Sequence, residues 1–208
     1  MAPFPDAVLT ADTVIISGPP MTGEYPLFHK LLAQRGDHRI VISTGTPADE
    51  LREDHNSFVG ETVTLRVVDC ISAGRGETQT NDAHTKYVDA PGNLTSIGVK
   101  ITEFLESLPE GDEHAVVGLH SISQLLMHAG QEQTYQFIHI LAQQTATAGV
   151  PLIATINAQA HDEQTTTAIT TRFDCILETR TANGRNEFRA RTAKTEPSAW
   201  LALSSVTS

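Results

Sequence analysis

The chain has 208 residues, 39% of them hydrophobic and 5% aromatic, enough for one medium-sized domain with a substantial buried core. It carries 25 acidic residues against 14 basic ones, a formal net charge of −11. Lysine contributes only Lys30, Lys86, Lys100 and Lys194. This balance argues against nucleic acid held by a basic surface, and no apolar run is long enough to span a membrane.

An acidic, lysine-poor, threonine-rich surface fits a protein adapted to concentrated salt, where repulsion among carboxylates is screened. An ordinary acidic cytosolic protein is the alternative. The start, MAPFPDAVLT, has neither the basic residues nor the apolar core of a signal peptide, so the expected location is cytoplasmic. Cys70 and Cys175 form no C-x-x-C pair and read as small buried apolar residues in a reducing compartment.

In chain order, TVIIS (13–17) reads as a buried strand, PLFHKLLAQ (26–34) as a helix and RIVIS (39–43) as a second strand. PADELRED (47–54) reads as a helix and TVTLRVVD (62–69) as a strand, before a loop over 70–92. A helix over 94–108, a strand over 114–120, a helix over 132–148 and a strand over 150–156 continue the alternation. Residues 157–167 read as a second loop. FDCILETR, NEFRARTA and SAWLALS then read as successive strands, with TANGR as a hairpin turn between the first two. Such alternation implies a mainly parallel sheet covered on both faces, followed by an antiparallel extension. Ligands of open parallel sheets bind in the loops beyond the strands' carboxyl ends.

The first of those loops reads GPPMTGEY, residues 18–25. A phosphate-cradling loop has the pattern G-x-x-x-x-G-K-[ST] between a strand and a helix. Gly18 and Gly23 keep that spacing around Pro19, Pro20, Met21 and Thr22, whereas Glu24 stands in the lysine's place and Tyr25 in the hydroxyl's.

ISGPPMTG, VISTGTPADELRED, HSISQLL, FDCILETR, NEFRARTA and Trp200 occur in the order in which the KaiC branch of the RecA-like ATPases places its corresponding segments. From about 13 to 203 the chain resembles that family. VDAPGNLTSIG and FIHILAQ…AHDEQTTT resemble more specifically the small KaiC-like proteins of salt-loving archaea. The resemblance implies a three-layer α/β/α sandwich over a single domain, 1–208. It also aligns the magnesium-orienting Walker B aspartate with His120, and the water-activating glutamates with Gly45 and Thr46. Lysine, metal-holding hydroxyl and both acidic groups are thus all substituted.

Two unit charges about 4 Å apart interact by roughly 4 kcal/mol at an effective dielectric near 20, so exchanging lysine for glutamate swings the nominal term by about twice that. Millimolar binding amounts to only about −4 kcal/mol. Glu24 is better placed at the first turn of the following helix, where negative charge is favourable. The reading is therefore a non-catalytic interaction or regulatory domain without cofactor. ATP and magnesium enter only in the alternative, a weak or unconventional nucleotide-binding ATPase.

Other candidates read as structural. His120, His128 and His139 fall on separate elements without paired metal-ligand spacing, and no metal is expected. Ser121 and Ser123 lack triad partners. His161, Asp162 and Glu163 read as a solvated loop. The resemblance places Arg189 and Arg191 on the strand that reaches a neighbour's nucleotide in KaiC-type rings, although an outward-facing edge is the simpler reading. The expected partner is a protein, either a second copy or a catalytically intact KaiC-like relative.

Overall fold

A computed structural model describes residues 4–60, 65–75, 79–108 and 114–207. The strands are β1 (Thr13–Gly18), β2 (His38–Ser43), β3 (Arg66–Asp69), β4 (Thr85–Tyr87), β5 (Ala115–His120), β6 (Leu152–Asn157), β7 (Cys175–Ala182), β8 (Arg185–Thr192) and β9 (Leu201–Ala202). The helices are α1 (Asp6–Thr10), α2 (Glu24–Arg35), α3 (Ala48–Val59), α4 (Leu94–Glu106), α5 (Ile122–Ala129), α6 (Gln131–Thr147), α7 (Glu163–Thr170) and α8 (Ser204–Thr207). The strands form one sheet in the order β4-β3-β2-β5-β6-β1-β7-β8-β9. Pairing is parallel from β4 through β7 and antiparallel from β7 to β9.

Side-chain alternation along these strands builds two cores. Ile15, Ile42, Val117 and Ala154 face one side, against Ile97, Phe104, Phe137 and Leu141 of α4 and α6. Val14, Ile16, Val41 and Val116 face the other, against Phe28 and Leu32 of α2 and Leu51 of α3. The result is the expected three-layer α/β/α arrangement with a C-terminal antiparallel extension.

Two contacts set the helices over the carboxyl ends of the strands. Buried Asp69, at the end of β3, accepts hydrogen bonds from Ala48 N (2.8 Å), Ile71 N (2.8 Å) and Ser72 N (2.9 Å). Its carboxylate thereby holds the N-terminus of α3, where negative charge is favourable. In β5, a side chain on Gly118 would stand 2.6 Å from the ring of Phe28 and 3.2 Å from Leu32. The bare backbone there lets α2 press against the sheet.

Several segments depart from the sequence reading. Residues 157–167 are not simply a loop. A short 3-10 turn at Ala158–Ala160 leads into α7, which Asp162 caps by accepting from Thr165 N at 2.8 Å. Threonine-rich EQTTTAIT has weak helix propensity, so the cap and the burial of Ile169 outweigh it. Within 70–92, residues 85–87 add β4 to the sheet edge, and 76–78 lie outside the described residues. The strand expected over 62–69 is described from Arg66, since 61–64 also lie outside. SAWLALS pairs as a strand only at Leu201–Ala202. Before it, Ser198 Oγ takes the place of a backbone acceptor for Ala190 N at 3.0 Å.

Gly118→Val should destabilise the protein by about 1–3 kcal/mol through overpacking against Phe28. The check is a lower urea midpoint with unchanged slope.

Candidate functional site

The loop after β1 has its shape fixed by the rest of the chain. Gly23 has φ 96°, and a Cβ there would collide with Leu203 Cδ2. A Cβ at Gly18 would collide with the Thr179 hydroxyl of β7. Thr22 Oγ1 lies 2.6 Å from both the Pro19 carbonyl and Thr179 Oγ1, and 3.3 Å from Glu24 Oε2. Its single proton goes to the carbonyl, so Thr179 donates to Thr22. At the apex, Asn186 Nδ2 of β8 donates to Met21 O at 3.1 Å, while the Met21 side chain is 91% exposed. Pro19 is half-buried and Pro20 exposed.

Glu24 is the first residue of α2, with its carboxylate folded back toward Thr22. Tyr25 turns toward α3, where its hydroxyl donates to Asp54 Oδ2 at 2.8 Å. Its ring centroid lies 4.8 Å from His120 and 4.5 Å from His29, the latter edge-on. Burial, reinforced by Asp54, raises the phenol's pKa far above its usual range. Thr46 lies beside the same hydroxyl, and Gly45 is exposed. His120, at the end of β5, shares a 2.8 Å hydrogen bond between Nδ1 and Thr155 Oγ1. Burial pushes its pKa down to about 4. The structure thus gathers Tyr25, Thr46 and His120 around one point, and adds Asp54, which the sequence reading missed. The i, i+4 spacing of Glu50 and Asp54 in ADELREDHN was the available signal.

Beneath Tyr25 lies a second missed cluster. Arg39 donates through Nε to Gly36 O at 2.8 Å, and its NH1 lies 2.9 Å from His55 Nε2. A guanidinium only donates, so His55 Nε2 accepts and its proton sits on Nδ1, 2.9 Å from His29 Nδ1. His29 therefore accepts at Nδ1 and carries its proton on Nε2, which is buried without a partner among the described residues. Burial, then the neighbouring His55 and His120, pushes His29 down to about 2. Burial and Arg39 push His55 down to about 4. All three imidazoles are neutral near pH 7.

The remaining candidates lie apart. His128 and His139 are exposed. Ser123 Oγ accepts from Asn157 N at 3.0 Å, and Ser121 N donates to Thr44 Oγ1 at 2.7 Å, so both tie loops together. Arg189 and Arg191 share Glu178, at 2.6 and 3.2 Å. Trp200 lies under the guanidinium groups of Arg180 and Arg189, 3.8 and 4.6 Å from its ring centroid. Among the described residues, no group of three His, Cys, Asp or Glu side chains is placed to hold a metal. No described helix is long and apolar enough to cross a membrane.

The three histidines have folded pKa values below the ordinary 6.5. Below that pH the unfolded chain takes up protons that the folded chain refuses, so stability is lost as the pH is lowered. Each histidine contributes up to about 1.4 kcal/mol per pH unit, down to about pH 4 for His55 and His120. Urea midpoints should therefore drop steadily between pH 7 and 5. A flat profile would mean that these imidazoles are solvated.

A family profile described as a family of unknown function (DUF7504) matches residues 11–179, most of the chain. No match was found among curated proteins. Among solved structures, the flagellar accessory protein FlaH from Methanocaldococcus jannaschii is similar at 20% identity and a TM-score of 0.58, over 89% of this chain and 80% of that one. The uncharacterized protein PH0321 from Pyrococcus horikoshii, solved with an unknown peptide, is similar at 13% identity and a TM-score of 0.66, over 91% of each chain. At these identities the likeness is one of fold, and that fold is RecA-like. The chain belongs to the DUF7504 family.

Proposed function

We propose that this chain is a non-catalytic RecA/KaiC-like interaction or regulatory domain of the haloarchaeal type, in which the nucleotide loop survives as a structural turn. The whole chain, 1–208 with a core of about 13–203, acts as one cytoplasmic domain. The observation that carries the reading is where the two altered loop positions turn, a carboxylate lying against the cradle and a phenol directed away from it. Glu24 folds back on Thr22, and the Tyr25 hydroxyl binds Asp54. A phosphate entering the cradle would meet a carboxylate where an active loop offers an ammonium. The favourable N-terminus of α2 does not offset that repulsion. Neutral His120 in the metal-orienting position supports the same conclusion.

A protein partner, whether a second copy or a catalytically intact relative, agrees with what the similar proteins are. One is a flagellar accessory protein and the other was solved with a peptide. Arg189 and Arg191 would reach a neighbour only by exchanging their pairing with Glu178. Weak nucleotide binding is the second reading, favoured by the retained strand–loop–helix geometry around Gly18 and Gly23.

Calorimetric titration with ATP in molar potassium chloride, with and without magnesium, should show no binding tighter than about millimolar and no phosphate release. Magnesium-dependent turnover that co-elutes with the protein would establish the second reading instead. Glu24→Lys should gain measurable affinity without turnover. Unchanged binding in that variant would mean that the loop is not a phosphate cradle at all.

The net charge of −11 gives a separate expectation. If the acidity is an adaptation to salt, the melting temperature rises between low and molar potassium chloride as carboxylate repulsion is screened. A melting temperature that falls or stays level would return the surface to the ordinary acidic type.

A further inference from the structure

The face opposite α2 and α3 carries a feature that neither the fold nor the loop uses. Along the seam of α4 and α6 lie two hollows of about 800 and 430 Å³. They share Thr102, Glu106, Ile140 and Gln144, and so form one groove. From Gln133 to Ala148 it follows α6 for about 22 Å, or roughly four helical turns. Leu94, Gly98, Phe137 and Ile140 supply apolar lining, and Val99 and Ile140 are 52% and 51% exposed.

Three details give the groove a chemistry. Gly98 stands in the interior of α4, where a Cβ would meet nothing within 4 Å. Among the described residues no contact calls for a helix-weakening glycine there, and its missing side chain keeps the lining open to a close-packed neighbour.

The second detail is an unmet acceptor. Thr102 Oγ1 gives its proton to Gly98 O at 3.0 Å, so it accepts from Gln144 Nε2 at 3.3 Å. Gln144 Oε1 is then left buried without a donor among the described residues. The third detail is charge. Glu103 and Glu106 line the groove, and among the described residues no lysine or arginine does. Glu103 is already held by Lys86 and Lys100, both at 2.9 Å. Glu106 is exposed and makes no ion pair among the described residues.

We propose that this groove docks an amphipathic helix of a partner protein. The helix lays its apolar face over Gly98, Phe137 and Ile140, and brings a lysine or arginine to Glu106 and a hydrogen-bond donor to Gln144. A seam between two helices offers side-chain ridges and no free strand edge, which selects a helix over an extended peptide. The assignment is independent of whether the β1–α2 loop binds nucleotide.

The probe is a fluorescein-labelled helical peptide of about 15 residues, built from leucine, alanine and lysine with leucines on one face. A second peptide replaces each lysine by glutamate. Anisotropy should show the lysine peptide binding the wild type and the glutamate peptide binding at least about tenfold more weakly. Gly98→Leu fills open space, keeps its melting temperature, and should weaken the lysine peptide by about tenfold or more. Glu106→Lys should reverse the preference between the peptides. Amide chemical shifts should move along α4 and α6. Equal affinity of the lysine peptide for wild type and Gly98→Leu, or shifts confined to other elements, would overturn the proposal. It would also be overturned by sedimentation showing a wild-type dimer that Gly98→Leu dissociates, because a second copy would then fill the groove.

Discussion

Helix α2 can lie where it does because β5 has no side chain at Gly118. The ring of Phe28 and the end of Leu32 take that space. The helical period then dictates the rest of the face. Tyr25, three residues before Phe28, arrives over His120 at the end of β5, and His29, one residue after Phe28, points at His55 of α3. The altered loop position, the aromatic cluster and the buried imidazoles are therefore one packing decision. Moving any of them requires moving α2 on the sheet.

The loop depends on that placement from one side and on the C-terminal strands from the other. Thr179, Asn186 and Leu203 contact it at its start, apex and end. Two glycines that would otherwise be read as making room for phosphate have intramolecular reasons to be glycine. Retention of G-x-x-x-x-G is thus weak evidence for nucleotide chemistry in this chain. The substitutions at 24 and 25 speak more directly, since one sets a carboxylate against the cradle and the other turns its hydroxyl away to Asp54.

Much of this architecture was legible in the sequence because buried parallel strands leave strong apolar runs. TVIIS, RIVIS and the run at 150–156 each lie within two residues of their observed strand. The loop was equally readable from its glycine spacing. What escaped was held by single tertiary contacts with no local pattern. Helix α7 is written in threonines and depends on one aspartate cap. Strand β4 is three residues that gain order only by pairing with β3. His29 and His55 are 26 positions apart, and only the packing of α2 on α3 shows them to be partners. Asp54 was visible as a carboxylate, but its destination at Tyr25 was not.

Charge is distributed in a way that joins these observations. The carboxylate excess lies largely on the surface, while the interior beside the loop is furnished with imidazoles kept neutral by burial. Arg39 lies among them, but its guanidinium is directed to Gly36 and His55. The loop itself carries Glu24 in place of an ammonium. An anion approaching from solvent meets an acidic surface first and a carboxylate in the cradle next. A cationic or apolar segment meets the opposite conditions, an attractive field outside and an open apolar seam along α4 and α6. Glu24 makes phosphate a poor ligand at one end of the sheet, while on the other face Glu106 would favour a basic helix in the proposed groove.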